Sequence, residues 1–293
     1  MGLRYRTDLP GTADVVVVGG GVVGAATAFH AGRAGLRTVL LEARPALCTL
    51  TTPVSAGAFR LQFDDLEELA LVRESVQLFL DFEQATGQGE YRLGLRQQGY
   101  LWLATEPETA ERQRRVVAQL HEWGQTDVEL MGADDARHRF PFVGPDVIQA
   151  RFRAGDGFLD TKQLTFGLVN GSGADVVPGC RATGFGVAGG RLRSVETSMG
   201  SIPTGAAVIA AGPLSGLLAE AAGIRLPTVA VRRHKLWMPG LDVVPPQAPM
   251  TIDEDTGAHW RPAFGGAWVL FADPSTPAER PLEAVLAEPG FVF

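Results

Sequence analysis

The chain has 293 residues, 26 Lys+Arg against 33 Asp+Glu, a formal net charge of -7 and 45% hydrophobic residues. This composition indicates a globular protein with enough apolar residues for a sizeable core, and it excludes a disordered or fibrous chain. Nucleic acids and anionic membranes attract clustered cations, so an acidic chain without a Lys/Arg block argues against both kinds of partner.

Cysteine and histidine usage argues against a metal site. Cys48 and Cys180 form no C-x-x-C motif and do not suggest a secreted disulfide framework, and the five histidines show no metal-ligand spacing. We therefore expect no metal and a reduced, cytoplasmic setting. The longest apolar stretch near the N-terminus, residues 15–28, contains four glycines and is shorter than the about 20 residues that span a bilayer, so we expect no membrane span.

The first 42 residues predict a βαβ unit. Four consecutive valines at 15–18 indicate a strand that ends in glycines. Small and apolar residues at 22–34 indicate a helix, and residues 38–42 indicate a second strand. A loop rich in Ala, Thr, Pro, Ser and Gly follows at 43–60.

The middle of the chain predicts a separate α+β unit. Its expected elements are a helix at 64–86, a strand at 99–104, a helix at 107–123 and a short helix at 134–139. The helix that follows Leu164 is expected to break at Gly167 and at 170–173, because glycine is a poor helix former.

Strand patterns return in the last part of the chain. The expected strands are 174–177, 182–187, 191–197 and 206–210, with turns at 189–190 and 199–200. Two short hairpins that feed a buried strand at 207–212 predict a β-meander inserted into a nucleotide-binding domain. Residues 225–293 carry strand signals, including 267–271, but no further βαβ unit.

The glycine pattern after the first strand carries the sharpest functional signal. Gly19 permits a tight turn, Gly21 lets a pyrophosphate approach the helix N-terminus, and Gly24 with Ala28 lets helix and strand pack closely. Glu42, at the end of the second strand, can accept from a ribose hydroxyl. An ordinary Gly-rich turn is the alternative for the glycines, and a solvated strand-end carboxylate is the alternative for Glu42. The predicted dinucleotide contacts here are Gly19, Gly21, Val22, Val23, Gly24, Glu42 and Ala43.

Four segments resemble the superfamily of D-amino-acid oxidase, glycine oxidase and sarcosine oxidase, which are FAD enzymes. They are residues 15–43, 51–60 (TTPVSAGAFR), 156–164 (DGFLDTKQL) and 206–227, in the order in which the family carries them. The resemblance implies an α/β fold: a Rossmann-like FAD-binding domain of the glutathione-reductase type at 1–75 and 150–222, and an α+β substrate domain at 76–149 and 223–293.

The resemblance also implies further cofactor contacts. In this family the loop after the second strand crosses the pyrophosphate and reaches the flavin, and a later strand passes close to the cofactor. Plain turn chemistry is the alternative for Thr51 and Thr52. The matching residues are Arg44, Thr51, Thr52, Ser55, Ala56, Gly57, Ala182, Ala210, Ala211 and Gly212.

Two arginines are the predicted catalytic residues. Family substrates are amino acids or N-methylated amines whose carboxylate pairs with an arginine, a role that suits a bidentate guanidinium. Arg60 matches an arginine beside the flavin ring, with a surface ion pair to Asp64 or Asp65 as the alternative. Arg261 lies in the strand pair expected over the flavin, with anchoring of that sheet as the alternative.

The implied reaction is hydride transfer from an amine-bearing carbon to FAD, with oxygen or another electron acceptor. Relatives continue beyond residue 293 with a segment that closes the flavin site, so the chain is expected to be truncated and a partner chain to complete the site. The alternatives are a non-catalytic or partner-dependent FAD-binding fragment and an NAD-dependent dehydrogenase.

Overall fold

The computed structural model describes residues 3–285. The helices are α1 Val22–Arg33, α2 Leu66–Leu80, α3 Phe82–Thr86, α4 Pro107–Glu122, α5 Ala133–Arg139, α6 Thr161–Ser172 and α7 Ser215–Glu220. The strands are β1 Arg4–Tyr5, β2 Val15–Val18, β3 Thr38–Glu42, β4 Ala58–Phe59, β5 Tyr100–Ala104, β6 Glu129–Gly132, β7 Gln149–Arg153, β8 Gly157–Phe158, β9 Asp175–Pro178, β10 Ala182–Ala188, β11 Arg191–Thr197, β12 Gly200–Pro203, β13 Ala207–Ile209, β14 Ala230–Val231, β15 His234–Pro239, β16 Met250–Asp253, β17 Ala258–Ala263, β18 Gly266–Phe271 and β19 Ala278–Glu279.

A five-stranded parallel sheet in the order β1-β9-β3-β2-β13 holds the first βαβ unit. Strand β2, which lies between β3 and β13, is buried along its whole length, as a continuous run of valines in a parallel sheet requires. Helices α1 and α6 cover one face of the sheet, where Val17 and Leu40 join an apolar core with Phe29 and Val169. The predicted α/β fold with a parallel sheet is confirmed.

The opposite face of the parallel sheet is covered by the antiparallel meander β10-β11-β12. Val16 and Leu41 of the parallel sheet pack there against Val195 and Ile202 of the meander, and all four side chains are buried. The turn between β10 and β11 uses Gly189 and Gly190, both with positive φ. The meander predicted from the sequence is confirmed.

A second, seven-stranded sheet has the order β15-β18-β17-β16-β5-β7-β6, in which only the β16–β5 pair is parallel. One of its faces carries Leu101 and Leu103 into a core with Ala136 and Phe152. The other face carries Tyr100 and Trp102 toward the loop after β3 and toward β8. This second face is the one that lies near the predicted cofactor site.

Two expectations about helices are wrong in detail. Helix α6 runs unbroken from Thr161 to Ser172, because its glycines face bulky neighbours: a Cβ on Gly167 would lie 2.7 Å from the rings of Phe82 and Tyr91. Close packing therefore selects glycine there despite its low helix propensity. The helix expected over 64–86 is divided at Asp81 into α2 and α3.

The division into two domains stays a proposal. The FAD-binding part expected at 150–222 includes most of β7. This strand pairs with β5 and β6 in the seven-stranded sheet. Sheet membership therefore groups residues 149–153 with the second unit.

Cys48 and Cys180 are buried free thiols. Within residues 3–285, no group of three or more His, Cys, Asp or Glu side chains could hold a metal ion. In the same part of the chain, no helix has the length and apolarity needed to cross a bilayer.

Candidate functional site

The predicted glycines lie where β2 ends and α1 begins. Gly19 has a φ of 117°, and a Cβ on it would lie 2.3 Å from the carbonyl oxygen of Ala210. A Cβ on Gly24 would lie 1.8 Å from the carbonyl oxygen of Gly19. Neither position can carry a side chain without separating helix from strand, as the spacing predicted.

The N-terminus of α1 is open around Gly21, which precedes the first helical residue. A Cβ on Gly21 would meet only the Thr52 hydroxyl, at 3.1 Å. The Val22 N–H donates to that hydroxyl at 3.1 Å, whereas the first-turn N–H groups of Val23 and Gly24 have no intrahelical acceptor. A helix N-terminus with free N–H groups and an approachable glycine suits a phosphate.

Glu42 lies at the carboxyl end of β3. Its Oε2 accepts from the Gly20 N–H and its Oε1 accepts from the Arg44 N–H, both at 2.8 Å. Each carboxylate oxygen keeps a second lone pair for a hydroxyl ligand. The Cys180 N–H donates to the Glu42 carbonyl at 2.9 Å, which places the start of β10 at Ala182 beside the same strand end.

The neighbouring Ala43 is exposed, and Arg44 is engaged within the protein. The Arg44 guanidinium donates to the carbonyl of Thr49 at 2.9 Å and also to the carbonyl of Glu283. Arg181 pairs with the Glu283 carboxylate at 2.6 Å. The two arginines therefore hold the segment around Glu283 beside the loop that follows β3.

Strand β13 ends against the glycine turn. The Ala210 N–H donates to the Val18 carbonyl at 2.8 Å, and Ala211 follows before the chain turns at Gly212, whose φ is 57°. A Cβ on Gly212 would have no atom within 4 Å, so space remains there. Ala210 and Ala211 lie against Gly19, so the end of β13 borders the glycine turn.

The loop at 51–57, which follows β3 in the chain, extends from the N-terminus of α1 toward the seven-stranded sheet. The exposed Thr51 precedes a 3₁₀ turn at Thr52–Val54, and the Thr52 carbonyl accepts from the Thr161 hydroxyl at 2.9 Å. Gly57 has a φ of 67°, and a Cβ there would lie 2.3 Å from the Leu159 carbonyl oxygen. The loop is therefore fixed against the N-terminal end of α6.

The same loop supplies carbonyl acceptors to two cations of the seven-stranded sheet. The Ser55 carbonyl accepts from Lys235 Nζ at 3.1 Å, and the Ala56 carbonyl accepts from Arg261 Nε at 2.7 Å. The Ser55 hydroxyl accepts from the Gly57 N–H at 3.1 Å. The predicted phosphate-site loop and the predicted substrate arginine are therefore in direct contact.

A cavity of about 800 Å³ opens beside this contact. Arg96, Lys162 and Arg261 line it together with two carboxylates, Asp160 and Asp242. The Asp160 carboxylate accepts from the first N–H groups of α6 and so serves as its N-cap. The lining carries more positive than negative charge, which suits an anionic ligand.

Arg261 is 7% exposed and lies between two aromatic rings, with its guanidinium carbon 4.3 Å from the ring centre of Phe158 and 4.0 Å from that of Trp268. Burial, with a smaller contribution from Arg96, lowers the pKa of Arg261 to about 10. Its Nε and Nη1 donate to main-chain carbonyls, so it anchors the sheet as the alternative predicted. Its Nη2 has no acceptor among residues 3–285 and remains available at the cavity.

Sequence reasoning missed Lys235. Its Nζ lies 3.4 Å from the ring centre of Trp268, and burial together with the charges of Arg261 and Lys162 lowers its pKa to about 8. Lys162 and Lys235 are the only lysines of the chain. Lys162 lines the cavity, and Lys235 lies behind its wall, against the lining residues Trp268 and Ser55.

Arg60 is not among the residues that line the cavity; its side chain lies over Tyr100 and Trp102 of β5. Its guanidinium carbon is 4.5 Å from the ring centre of Phe63 and 5.3 Å from that of Trp102. Within the described part of the chain it forms no ion pair with Asp64 or Asp65, so that alternative is not observed.

The residues present fit an FAD molecule. The approachable Gly21, the unpaired N–H groups of the α1 first turn and the space at Gly212 form a cradle at the ends of three parallel strands. A dinucleotide extends across such strand ends. The loop at 51–57 then leads from the phosphate position to the cationic cavity.

Comparison with known proteins agrees with this geometry. The sequence profile of the DAO family, described as FAD dependent oxidoreductase, matches residues 14–287. Mouse (Mus musculus) mitochondrial sarcosine dehydrogenase is 28% identical over 235 residues, which are 76% of this chain and 25% of that protein. Sarcosine oxidase subunit beta of Arthrobacter sp is 28% identical over 76% of this chain and 56% of that protein.

Solved structures show the same fold. L-proline dehydrogenase from P. horikoshii matches with a TM-score of 0.83 and 22% identity, covering 97% of this chain and 75% of that one. Glycine oxidase from Geobacillus kaustophilus matches with a TM-score of 0.79 and 19% identity, covering 96% of this chain and 75% of that one.

The matching family model defines a class of proteins described as FAD dependent oxidoreductases. The chain belongs to the DAO family. It spans about a quarter of the length of the sarcosine and dimethylglycine dehydrogenases that it matches.

Proposed function

We propose that this chain oxidises the C–N bond of an amino acid or N-methylated amine. The observation that carries the proposal is the direct contact between the cofactor loop and the cationic cavity, through Ser55 to Lys235 and Ala56 to Arg261. A substrate carboxylate in that cavity lies next to the end of the loop that leads from the phosphate site. Both cations belong to the seven-stranded sheet, Lys235 on β15 and Arg261 on β17.

Arg261 is the proposed carboxylate partner. Its Nε is fixed by the Ala56 carbonyl and its plane is held between Phe158 and Trp268, so its free Nη2 has one orientation. A pre-oriented guanidinium binds a carboxylate with little further loss of side-chain entropy. The two aromatic rings also exclude water from this ion pair, which strengthens it.

Bound FAD would supply the acceptor for a hydride from the amine-bearing carbon. The nitrogen loses its proton to solvent, and the resulting imine takes up water and separates into an amine and a carbonyl compound. The protein's contribution is to orient the substrate through Arg261 and to supply positive charge from Lys162 and Lys235. Oxygen or another acceptor then takes the two electrons.

The flavoenzyme proposal is favoured over an NAD-dependent dehydrogenase and over a non-catalytic FAD-binding fragment. The family match and the relatives, which are dehydrogenases and oxidases, support FAD and catalysis. A partner chain that completes the site stays a prediction.

A product assay tests the proposal. The FAD-loaded chain would be incubated with amino acids, their N-methyl derivatives and the corresponding amines without a carboxylate, in the presence of a dye acceptor. We expect carbonyl product and reduced dye in equal amounts from carboxylate-bearing amines alone. Arg261→Met should lower kcat/KM at least about tenfold, the loss expected for one charged hydrogen bond, while the surface variant Arg114→Met leaves it unchanged. Equal turnover of amines with and without a carboxylate would contradict the proposal.

A further inference from the structure

The turn between β17 and β18 carries a phenylalanine at a position that disfavours it. Ala263 pairs with Gly266, so Phe264 and Gly265 are the two central residues of the hairpin, with φ of 49° and 73°. Positive φ at both central positions is typical of a type I′ turn, which favours Asn followed by Gly. A bulky side chain is a backbone outlier in this conformation. Phe264 is therefore held in a strained conformation.

The neighbouring strand fixes the backbone on both sides of Phe264. The Ala263 carbonyl accepts from the indole N–H of Trp237 at 3.3 Å, and the Gly265 carbonyl accepts from the Gly240 N–H at 3.1 Å. Trp237 lies on β15, and Gly240 directly follows that strand. The positive φ of Phe264 is thus imposed by the hairpin and its neighbour.

The ring of Phe264 lies outside the apolar cores of the protein. It is 78% exposed, so it gains little from burial. Between residues 3 and 285, the other residues besides glycine with positive φ are Cys48, which is buried, and Glu90, which is polar. Phe264 alone combines backbone strain with an exposed apolar ring. A strained residue that brings no gain in packing points to a function of its side chain.

Phe264 lines the 800 Å³ cavity that also contains Arg261. The ring centre of Trp268 is 5.7 Å from that of Phe264 and 4.0 Å from the Arg261 guanidinium carbon. The loop after β15 adds apolar lining from Leu241 and Val244. The cavity therefore offers a guanidinium and an apolar surface that are separated by one indole ring.

We infer that Phe264 is a specificity-determining residue that packs against an apolar side chain of the substrate, whose carboxylate binds Arg261. This assignment rests on the proposed amine oxidation. An aromatic or branched aliphatic side chain would bury its surface on the rings of Phe264 and Trp268, whereas an amine derived from glycine leaves the phenyl ring in water. The substrate class is therefore an amino acid or N-methyl amino acid with an apolar side chain.

Carboxylic acids without a C–N bond test the site separately from the chemistry. The purified chain with added FAD would be titrated calorimetrically with acetate and with phenylacetate. Phenylacetate should bind at least about tenfold more tightly than acetate. Phe264→Asn should remove this difference without changing the acetate affinity, and Phe264→Leu should keep most of it. A parent chain that binds both acids equally, or a difference that survives in Phe264→Asn, would overturn the inference.

Phe264→Asn and Glu90→Asn are matched variants for the backbone strain. Glu90 has a φ of 64°, is exposed and does not line the cavity. Asparagine adopts positive φ more readily than either residue, so both variants should melt about 2 °C above the parent chain. Only Phe264→Asn should lose the preference for phenylacetate. A Phe264→Asn chain that melts below the parent would assign the ring to the fold and overturn the inference.

Turnover distinguishes the inference from the amine oxidation on which it rests. With the FAD-loaded chain, N-methylphenylalanine and N-methylglycine differ by the side chain alone. Phe264→Asn should lower kcat/KM for N-methylphenylalanine at least about tenfold, through KM, and leave the value for N-methylglycine unchanged. An identical ratio of the two values in parent and variant would overturn the inference while the oxidation stands. Phenylacetate binding that depends on Phe264, without oxidation of any amine, would support the apolar site and contradict the proposed function.

Discussion

The hydroxyl of Thr52 accepts a 3.1 Å hydrogen bond from the main-chain N–H of Val22, which fastens the cofactor loop to the first turn of α1. The loop in turn holds Lys235 and Arg261 through the carbonyls of Ser55 and Ala56. The phosphate end and the substrate end of the site are therefore joined by the five residues from Thr52 to Ala56. A substitution at one end of this loop should therefore alter ligand binding at the other end.

Gly21→Val should abolish FAD retention and leave a folded chain. A Cβ there meets only the Thr52 hydroxyl at 3.1 Å, so the protein can accommodate it, but the added carbons fill the space that a pyrophosphate needs. Bound flavin per chain and the circular dichroism spectrum measure the two effects.

Gly24→Ala, in contrast, should destabilise the fold itself. A Cβ at this position lies 1.8 Å from the Gly19 carbonyl oxygen, so we expect a loss of about 1–3 kcal/mol in the free energy of unfolding. Chemical denaturation of the two variants in parallel checks this contrast. A Gly21→Val chain that retains stoichiometric flavin would show that the phosphate site is elsewhere.

Glu42→Gln should weaken FAD binding by about 1–3 kcal/mol, the value of a charge-assisted hydrogen bond. One amide oxygen then replaces two carboxylate oxygens that now accept from Gly20 and Arg44 at 2.8 Å, so the FAD-free chain should also melt at a lower temperature. Flavin fluorescence titration gives the affinity, and Glu111→Gln on the surface of α4 is the control. Unchanged affinity would make Glu42 an ordinary strand-end carboxylate.

Carboxylate affinity in the cavity should fall as the pH rises through about 8, because Lys235 loses its proton there. An unfolded lysine titrates near about 10.4, so between these values the unfolded state binds more protons and this group makes folding stability rise with pH. Lys235→Met should remove both effects. Lys162→Met should keep the step and move it to higher pH, because the Lys162 charge helps to lower the pKa of Lys235.

The titration can be followed at the residue itself, since dimethylation labels only two lysines and the N-terminus. A Lys235 resonance that titrates near the value of an exposed lysine would contradict the burial of this amine.

Asp156→Ala should cost about 3 kcal/mol of stability, a value typical of breaking a buried ion pair. Asp156 is fully buried and accepts from the Leu61 N–H, Gln62 and Arg153 at 2.6 to 2.9 Å, tying the segment after Arg60 to the turn after β7. Asp134→Ala removes an exposed pair with Arg137 and should cost less than about 1 kcal/mol. Equal losses in urea denaturation would contradict the structural role of Asp156.

The first βαβ unit could be predicted because its signals are local. The valine run at 15–18 and the spacing of Gly19, Gly21 and Gly24 contain both the strand and the turn within a few residues. The unbroken course of helix α6 could not be predicted. Gly167 is required there by the rings of Phe82 and Tyr91, which are distant in sequence.

The stacking of both Arg60 and Arg151 on the ring of Trp102 was also beyond sequence reasoning. It depends on the register that sets Arg151 opposite Trp102, 49 positions away in the chain, and on the approach of Arg60 from a separate loop. Only the pairing of strands in three dimensions brings these side chains together. The pairing of β15 with β18 likewise places Lys235 beside Trp268, a residue of the cavity lining.

The absorbance spectrum of the purified chain, recorded before and after anaerobic addition of an N-methyl amino acid, tests the central claim most directly. We predict the two bands of oxidised flavin in the first spectrum and their bleaching in the second, with no bleaching by the matched amine that lacks a carboxylate. A chain that binds FAD in stoichiometric amount but keeps its oxidised spectrum with every carboxylate-bearing amine would contradict amine oxidation at this site.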